Sequence, residues 1–298
     1  VPENDHRITL DAPAKINLFL HVNGRREDGY HLLDSLVGFT ELGDRLVAEP
    51  GDDLTLRING PFASGLDGSD TDNLILRAAR LLRDASGIRA GAVLTLTKNL
   101  PVSSGIGGGS ADAAAALRIL SRLWCLDLDD ARLSEIGLSV GADVPVCIAG
   151  ASCRMTGIGE TVTPVDPFPP CAVVLVNGGE AVATPSVFAA REEIFSDSAA
   201  WSRPVGFDTF VAALQDCAND LSAAACTVSP IIDDALTELT RSDGCALARL
   251  SGSGGTCFGL FADSATAEAA VASIRARHPD WWCTATRFRE HRVEIQTG

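Results

Sequence analysis

Alternating apolar and polar positions open the chain. From Ile8 to Val22 every second residue is apolar, which is typical of a strand, or a pair of strands, buried on one face. Residues two apart on a strand point the same way, about 7 Å apart, so we expect Lys15, Asn17 and His21 to form one row on the opposite face. That row could serve an anionic ligand or simply face solvent, and the spacing alone does not choose.

The same patterns predict strands and helices along the rest of the chain. Asp70 and Asp72 are candidate N-caps for a helix from about Asn73 to Ala85, which Gly87 would end. Strands are expected at about 54–58, 93–97, 172–176, 246–250, 256–261 and 283–289, and helices at about 111–124, 130–138, 186–194, 208–225, 229–241 and 264–277. The pattern therefore indicates a mixed chain in which both element types recur.

Length and proline spacing indicate two domains. The chain has 298 residues, of which 46% are hydrophobic and 21% charged, so it is too apolar for a disordered protein and long enough for two cores. Four prolines fall between Pro164 and Pro170, the best candidate for a boundary. We therefore predict domains at 1–164 and 165–298.

Charge and cysteine usage narrow the class of protein. A net charge of −15 argues against a nucleic-acid partner, which needs a positive field. The apolar runs are far shorter than the roughly 20 residues of a membrane span, and the first residues do not resemble a signal peptide. The nine cysteines lack metal-site spacing and are expected to be buried thiols in a reducing cytoplasm.

A glycine-rich loop lies between the strand at 93–97 and the next helix. Gly105, Gly107, Gly108 and Gly109 permit close backbone approach, and the N–H groups of such a loop and helix start bind phosphate. Ser110 would either cap the helix or turn its hydroxyl to a phosphate or Mg²⁺. The loop lacks the lysine of a P-loop and the third glycine of a dinucleotide fingerprint, so a dehydrogenase is disfavoured.

Two further loops have open alternatives. Asp143, in Gly141–Pro145, would cap a turn or short helix, the commoner role, or accept a proton from a substrate hydroxyl during phosphoryl transfer. The loop Ser251–Gly255 between two predicted strands would be a second phosphate cradle or a plain tight hairpin. Residue type alone does not decide either case.

Taken together, these loops resemble a known superfamily. Pro101–Ser110 resembles the phosphate loop of the GHMP kinases (galactokinase, homoserine, mevalonate and phosphomevalonate kinases), and Leu250–Thr256 is similar to their third glycine motif. Within that group, Ala12–Leu20 and Gly24–His31 resemble the 4-diphosphocytidyl-2-C-methyl-D-erythritol kinases of the non-mevalonate isoprenoid pathway. The resemblance runs from about residue 10 to 261, and Asp72–Ile75, Gly141–Pro145, Thr184-Pro185 with Phe188, and Asn219–Leu221 follow in the same order.

The resemblance implies a fold and a reaction. The expected fold is α+β with two domains: an N-terminal ATP-binding domain containing a left-handed βαβ unit, and a C-terminal substrate domain with βαβ-type layers. The active site would lie in the cleft between them. With ATP and Mg²⁺ as cofactors, the enzyme would phosphorylate the 2-hydroxyl of 4-diphosphocytidyl-2-C-methyl-D-erythritol. Carried over to this chain, Asp143 becomes the general base and Lys15 its charge partner.

The resemblance also implies binding residues. Those for ATP are Asn73, Leu74, Lys98, Pro101, Ser104, Gly105, Gly107, Gly108, Gly109, Ser110, Ser253 and Gly254. Those for the cytidine substrate are Asn17 at the methylerythritol end, Tyr30 and Phe188 stacking on the base, His31 on its edge, and Thr184 beside it. No protein cage for a metal is implied. Lys15, Arg25, Arg26 and Lys98 would form a local positive patch for the two anionic substrates.

Departures from the family pattern leave alternatives. Ala111 follows Ser110 where a second serine is usual, and Ser222 follows Asn219–Leu221 where glutamate is usual, so we expect no catalytic role for that segment. The alternatives are another GHMP kinase, of mevalonate or homoserine type, and a non-catalytic nucleotide-binding regulator. The presence of both Lys15 and Asp143 argues against the regulator. A monomer or weak homodimer is expected, with no membrane partner.

Overall fold

The first of two sheets contains the N-terminal strands. The structure is a computed structural model that describes residues 7–66, 73–192 and 194–297. The strand order is β11-β1-β2-β4-β3, with β5 paired to β2 and β6 to β5. The strands are β1 (Ile8–Arg25), β2 (His31–Gly51), β3 (Leu54–Asn59), β4 (Gly91–Thr97), β5 (Cys153–Gly157), β6 (Thr161–Pro164) and β11 (Gln296–Thr297). Only β3 and β4 pair in parallel among these described strands, and α1 (Leu74–Ser86) connects them as a βαβ unit.

Helices of the first half pack on this sheet. Alongside α1 they are α2 (Gly108–Leu123), α3 (Asp130–Leu138) and α4 (Val144–Ala149), and a short 3₁₀ helix occupies Ala63–Leu66. Every residue of α2 from Ala111 to Ser121 is buried. Its alanines allow close approach to β1, β2 and α1, and they pack in one core with Leu94 and Leu96 of β4. The phosphate-loop helix is therefore held at the centre of the first layer.

The second sheet is formed by later strands in the order β10-β7-β9-β8, all antiparallel. They are β7 (Ala172–Asn177), β8 (Cys245–Leu250), β9 (Thr256–Phe261) and β10 (Trp282–Arg287). β7 and β9 are buried throughout, which fits their continuous apolar sequences. The accompanying helices are α5 (Thr184–Ala190), α6 (Phe207–Gln215), α7 (Ser222–Val228), α8 (Ile231–Thr240) and α9 (Ser264–Arg277).

The change of sheet coincides with the proline cluster. Residues 164–170 connect β6, the last strand before the change, to β7. β11 then returns to pair with β1 near the C-terminus. The division into 1–164 and 165–298 stays a prediction. No helix within the described residues is long and apolar enough to cross a membrane.

β1 takes part in both layers, which corrects the expected one-sided strand. Ala12 to Val22 are buried on both faces, because Leu20 and Val22 pack into the core of the second sheet while Leu10 packs into the first. Register shifts between Pro13 and Lys15, Asn17 and Phe19, and Val22 and Gly24 interrupt the regular alternation. The three side chains expected in one row, Lys15, Asn17 and His21, therefore do not share one face. Lys15 and Asn17 line the cleft, whereas the ring of His21 lies within 3.0 Å of the Asp197 carbonyl oxygen.

Several elements differ from the sequence-based expectation. β2, β5 and β6 were not predicted, and α4 is the short helix left open as one alternative after Asp143. The helix expected at 208–225 is two helices, α6 and α7. The break has a clear cause: the Leu20 N–H donates to the Ala218 carbonyl, and the Asp220 N–H donates to the Leu20 carbonyl. The residues between α6 and α7 thus pair with β1 and cannot continue a helix.

The ends of α1 and α5 refine the predictions. Asn73 caps α1, because its side-chain oxygen accepts a hydrogen bond from the Ile75 N–H, and Gly87 ends it at φ 66° as expected. Asp70 and Asp72 lie outside the described residues. α5 begins at Thr184, two residues before the predicted start, so Thr184 and Phe188 share one short helix.

Candidate active site

A cavity of about 580 Å³ lies among the glycine loop, the start of α2, β1, α5 and the β8–β9 loop. Most residues that the resemblance implied for the site line it. They are Lys15, Asn17, Asn73, Leu74, Lys98, Pro101, Ser104, Gly105, Gly107, Gly108, Gly109, Ser110, Asp143, Thr184, Phe188 and Ser253. Tyr30, His31 and Gly254 are not in this lining. Residues that sequence reasoning missed include Met155, Val182 and Leu221, which supply apolar wall.

Lys15 and Asp143 form an ion pair in the cleft. The Lys15 ammonium donates to Asp143 Oδ2 at 2.6 Å, with the Lys15 side chain 4% and the Asp143 side chain 37% exposed. Asp143 occupies the N-cap position of α4, but its side chain makes no capping hydrogen bond, so the capping interpretation is wrong. A carboxylate fixed at one oxygen and partly open to the cleft is positioned to accept a proton from a bound hydroxyl.

The glycine loop has the geometry of a phosphate site. α2 begins at Gly108, three residues earlier than predicted, with Gly107 as N-cap at φ 65°. Ser110 therefore lies inside the first turn and does not cap the helix, so that alternative is wrong. The first-turn N–H groups have no partner within their helix and lie where the cavity wall is formed by 107–110. A Cβ on Gly107 would lie 3.0 Å from Lys15 Cβ, so a side chain there would crowd the lysine.

The β8–β9 loop is a tight hairpin that also completes the cleft. Ser251 Oγ accepts a hydrogen bond from the Asn17 N–H at 3.1 Å and donates to the Gly105 carbonyl at 3.2 Å. The hydroxyls of Ser253 and Thr184 share a hydrogen bond of 2.7 Å. Gly254 lies behind the cavity wall, where its carbonyl oxygen packs against Gly105 so closely that a Cβ on Gly105 would be 2.3 Å away.

Lys98 lies under the phosphate loop in a buried cluster of three ionisable side chains. Its ammonium donates to Asp44 Oδ2 at 2.5 Å and Asp112 Oδ2 at 2.7 Å. Burial raises the pKa of Asp112 to about 7, an effect that Lys98 opposes and Asp44 reinforces. Burial acts to lower the pKa of Lys98, but the two carboxylates together raise it. A Cβ on Gly108 would lie 3.1 Å from the ammonium nitrogen, so glycine is needed above it.

These pairings correct the expected positive patch. Lys15 and Lys98 are each bound to carboxylates, and the Arg26 guanidinium pairs with exposed Asp28. The cleft therefore offers phosphate its backbone N–H groups rather than unpaired ammonium groups. Among the described residues no group of three or more His, Cys, Asp or Glu side chains could hold a metal ion.

Aromatic side chains cluster around Phe188, which lines the cavity. The rings of His31 and Phe188 stack with centroids 4.7 Å apart and an interplanar angle of 23°. Tyr30 is 58% exposed at the start of β2.

Asn17 donates through Nδ2 to Ser35 Oγ at 2.7 Å, while its buried Oδ1 has no hydrogen-bond partner. An unpaired buried acceptor is a site for a ligand hydroxyl or N–H.

Comparison with known proteins identifies the family. Residues 73–151 match the GHMP kinases N terminal domain, and residues 209–280 match the GHMP kinases C terminal domain. The 4-diphosphocytidyl-2-C-methyl-D-erythritol kinase of Rhodospirillum rubrum is 50% identical over 278 residues, covering 93% of this chain and 91% of that protein. This chain belongs to the 4-diphosphocytidyl-2-C-methyl-D-erythritol kinase family. It is therefore an enzyme, a kinase of the GHMP group.

Other members and neighbours agree. The 4-diphosphocytidyl-2-C-methyl-D-erythritol kinase of Paramagnetospirillum magneticum is 48% identical over 92% of this chain and 96% of its own length. A crystal structure of 4-(cytidine 5'-diphospho)-2C-methyl-D-erythritol kinase superposes with a TM-score of 0.77 at 33% identity, covering 94% of this chain and 98% of that one. Homoserine kinase from Cytophaga hutchinsonii gives a TM-score of 0.73 at 15% identity over 99% of both chains, which shows a shared fold alone.

Proposed function

We propose that this kinase transfers the γ-phosphate of ATP to the 2-hydroxyl of 4-diphosphocytidyl-2-C-methyl-D-erythritol. The products would be the 2-phosphate and ADP, and the reaction would serve isoprenoid precursor synthesis by the non-mevalonate pathway. The observation that carries this proposal is the Lys15–Asp143 pair, 2.6 Å apart, in the same cavity as the glycine loop. Support for the substrate comes from the names of relatives that cover almost the whole chain.

The chemistry would proceed by positioning and charge stabilisation. Asp143 accepts the proton of the attacking hydroxyl, and Lys15 orients that carboxylate and offsets negative charge as phosphoryl transfer proceeds. The first-turn N–H groups of α2, with Ser110 beside them, hold the nucleotide phosphates. Mg²⁺ bound to those phosphates would supply further charge neutralisation, with the Ser110 hydroxyl as a candidate side-chain ligand.

Candidate binding residues are available for both substrates, ATP and the cytidine compound. Asn73 and Leu74 at the start of α1 would border adenine, with Lys98 and Pro101 lining the same region. The remaining candidates for the nucleotide are Ser104, Gly105, Gly107, Gly108, Gly109, Ser110, Ser253 and Gly254. Cytidine would stack on Phe188, with Thr184 and His31 beside it and Tyr30 covering it from the strand end. Asn17 would present its unpaired Oδ1 to the methylerythritol end.

The cellular setting follows from the same proposal. All nine cysteines are free thiols, and burial raises the pKa of most of them, including Cys171 to about 12, which keeps them unreactive. We propose that the enzyme acts in the cytoplasm as a monomer or weak homodimer, with domains 1–164 and 165–298.

A substrate panel tests the proposed function. ADP release would be measured with Mg-ATP and, in separate reactions, 4-diphosphocytidyl-2-C-methyl-D-erythritol, mevalonate and homoserine. We expect turnover with the cytidine compound alone. Turnover with mevalonate or homoserine instead would keep the fold and contradict the substrate. ATP binding without turnover of any acceptor would favour a regulatory role.

A further inference from the structure

The segment Asn219–Leu221 has no part in the chemistry proposed above, although it borders the cleft. We propose that Asn219 is a positioning residue, which fixes the third glycine loop relative to β1 and so sets the places of Ser251 and Ser253. The effect that we predict for Asn219 on kinetics rests on the proposed kinase function, whereas its effect on the position of the loop rests on the contacts alone.

The segment is anchored along β1. The Leu20 N–H donates to the Ala218 carbonyl at 3.0 Å, and the Asp220 N–H donates to the Leu20 carbonyl at 2.9 Å. The Asp220 carboxylate accepts from the Val22 N–H at 2.7 Å, and His21 Nε2 accepts from the Ala218 N–H at 3.2 Å. Four hydrogen bonds over three residues leave this segment no freedom to slide along the strand.

The Asn219 side chain connects that anchor to the glycine loop. Its Nδ2 donates to the carbonyls of Leu250 at 2.9 Å and Gly252 at 2.8 Å, and its Oδ1 accepts from the Leu221 N–H at 3.0 Å. The residue is 6% exposed, so water would not replace these partners. A carboxylate of the same shape would face the two carbonyl oxygens with no hydrogen to donate, so both contacts would become unfavourable.

The third glycine loop contacts both sides of the cleft, so its position affects both. Ser251 hydrogen-bonds the backbone of Asn17 and of Gly105, one on the catalytic strand and one in the phosphate loop. Ser253 hydrogen-bonds Thr184 on the side proposed for cytidine. A shift of Gly252 therefore moves the phosphate loop and the acceptor side relative to each other. Misplacement of reacting groups by about 1 Å costs on the order of 100-fold in rate.

The test compares Asn219→Asp and Asn219→Ala with a matched control, Asn23→Asp. Asn23 Nδ2 also donates to a backbone carbonyl, that of Ser196 at 2.7 Å, but Asn23 is not in the cavity lining. Amide hydrogen exchange would be followed by mass spectrometry together with kcat and KM at pH 8. For both Asn219 variants we expect faster exchange at residues 250–256 and kcat at least tenfold lower, with the KM for ATP within threefold of wild type. In Asn219→Ala exchange should also rise at Leu221, whose N–H loses its acceptor, and in neither variant should it spread further. Asn23→Asp should match wild type.

A pH series separates this role from a general structural one. As pH falls from 8 to 5.5, the carboxyl introduced by Asn219→Asp gains one O–H donor, so its kcat relative to wild type should rise, whereas the Asn219→Ala ratio stays flat. Wild-type exchange at 250–256, or exchange raised uniformly over the whole chain, would overturn the positioning role. If wild type turns over none of the acceptors, the proposed function fails, and hydrogen exchange still decides the role of Asn219.

Discussion

Lys15 and Lys98 show how one residue type takes two roles within a few ångströms of the same loop. Lys15 has a single carboxylate partner, and that partner is open to the cleft. Lys98 has two carboxylate partners, and both are buried. An ion pair with an exposed member is available to a substrate, whereas a fully buried cluster holds its neighbours in place because breaking it would leave an uncompensated charge. Lys15 is therefore the better candidate for chemistry, and Lys98 for fixing the loop above it.

Phe188 gives a prediction at the scale of one side chain. Base–aromatic stacking is worth about 1–3 kcal/mol, so Phe188→Leu should raise the KM for the cytidine substrate about tenfold or more. The KM for ATP should stay within twofold, because Phe188 lies on α5 and is not part of the glycine loop or of the start of α2. Steady-state kinetics with each substrate varied in turn measures both values.

Phe195→Leu is the control, since Phe195 is 45% exposed and packs against the Arg191 guanidinium outside the cavity lining. Equal changes in both KM values for Phe188→Leu would contradict a cytidine role.

The resemblance in the sequence paired Lys15 with Asp143 but did not indicate the buried charges. Lys15 and Asp143 lie in segments with a recognisable pattern, and the structure brings them within 2.6 Å. Asp44 belongs to a strand that the pattern did not show, and Asp112 occurs in an alanine-rich helix. A charged residue inside an apolar helix signals a buried partner, but nothing in the sequence says that the partner is Lys98.

At the scale of elements, two glycines with nearly the same backbone angles offer a matched comparison. Gly107 has φ 65° and Gly87 has φ 66°, so alanine at either position is strained by about 1–2 kcal/mol. A Cβ on Gly87 would meet nothing within 4 Å, whereas one on Gly107 would press on Lys15. Gly107→Ala should therefore lower kcat/KM for ATP at least tenfold, while Gly87→Ala should keep wild-type kinetics.

Thermal unfolding of both variants completes that comparison. We expect Gly107→Ala to lose at least as much stability as Gly87→Ala, because the backbone strain is the same and only the Cβ at position 107 also presses on Lys15. A Gly107→Ala enzyme with wild-type kinetics would show that the phosphate loop tolerates a side chain, and so would contradict its assignment as a close-approach site.

Elements with simple periodicity were predicted, and those shaped by tertiary contact were not. α1, α3, α9 and the strands β7 and β9 appear within a residue or two of their expected ends. β2 was missed because its 21 residues do not alternate between buried and exposed positions. Residues 34–40 are buried in succession, and they include the charged Asp34, which pairs with Arg154. Likewise α6 and α7 are separated by hydrogen bonds to β1, a strand almost 200 residues earlier in the chain.

At the scale of the whole molecule, the buried cluster links stability to pH. Asp112 has a pKa of about 7 in the folded protein against 3.8 when unperturbed, so between these values the folded state holds a proton that the unfolded state has released. This group's contribution to the free energy of unfolding therefore falls as pH rises from about 4 to 7. Asp112→Asn removes that contribution. As the pH rises from 5 to 8, the free energy of unfolding of Asp112→Asn should therefore increase relative to that of wild type by about 1 kcal/mol or more.

Urea denaturation of wild type and Asp112→Asn at pH 5 and pH 8 measures the difference between their free energies of unfolding. Titrating groups that the two proteins share contribute equally to both and cancel in this difference. A difference in unfolding free energy that is the same at both pH values would show that Asp112 does not hold its proton in this range.

The cleft is assembled from positions far apart in sequence. β1, the glycine loop at 105–110, Asp143 and the loop at 251–255 meet through specific hydrogen bonds such as the Lys15 N–H to the Ile106 carbonyl. The central claim is that this convergence makes Asp143 the base for the acceptor hydroxyl. The most direct measurement is kcat for ADP release with the cytidine substrate for wild type and Asp143→Asn, with Asp130→Asn, which loses a surface pairing to Arg292, as control. We expect Asp143→Asn to lower kcat by about 10²–10⁴-fold with little change in the KM for ATP. A kcat within threefold of wild type would contradict the claim.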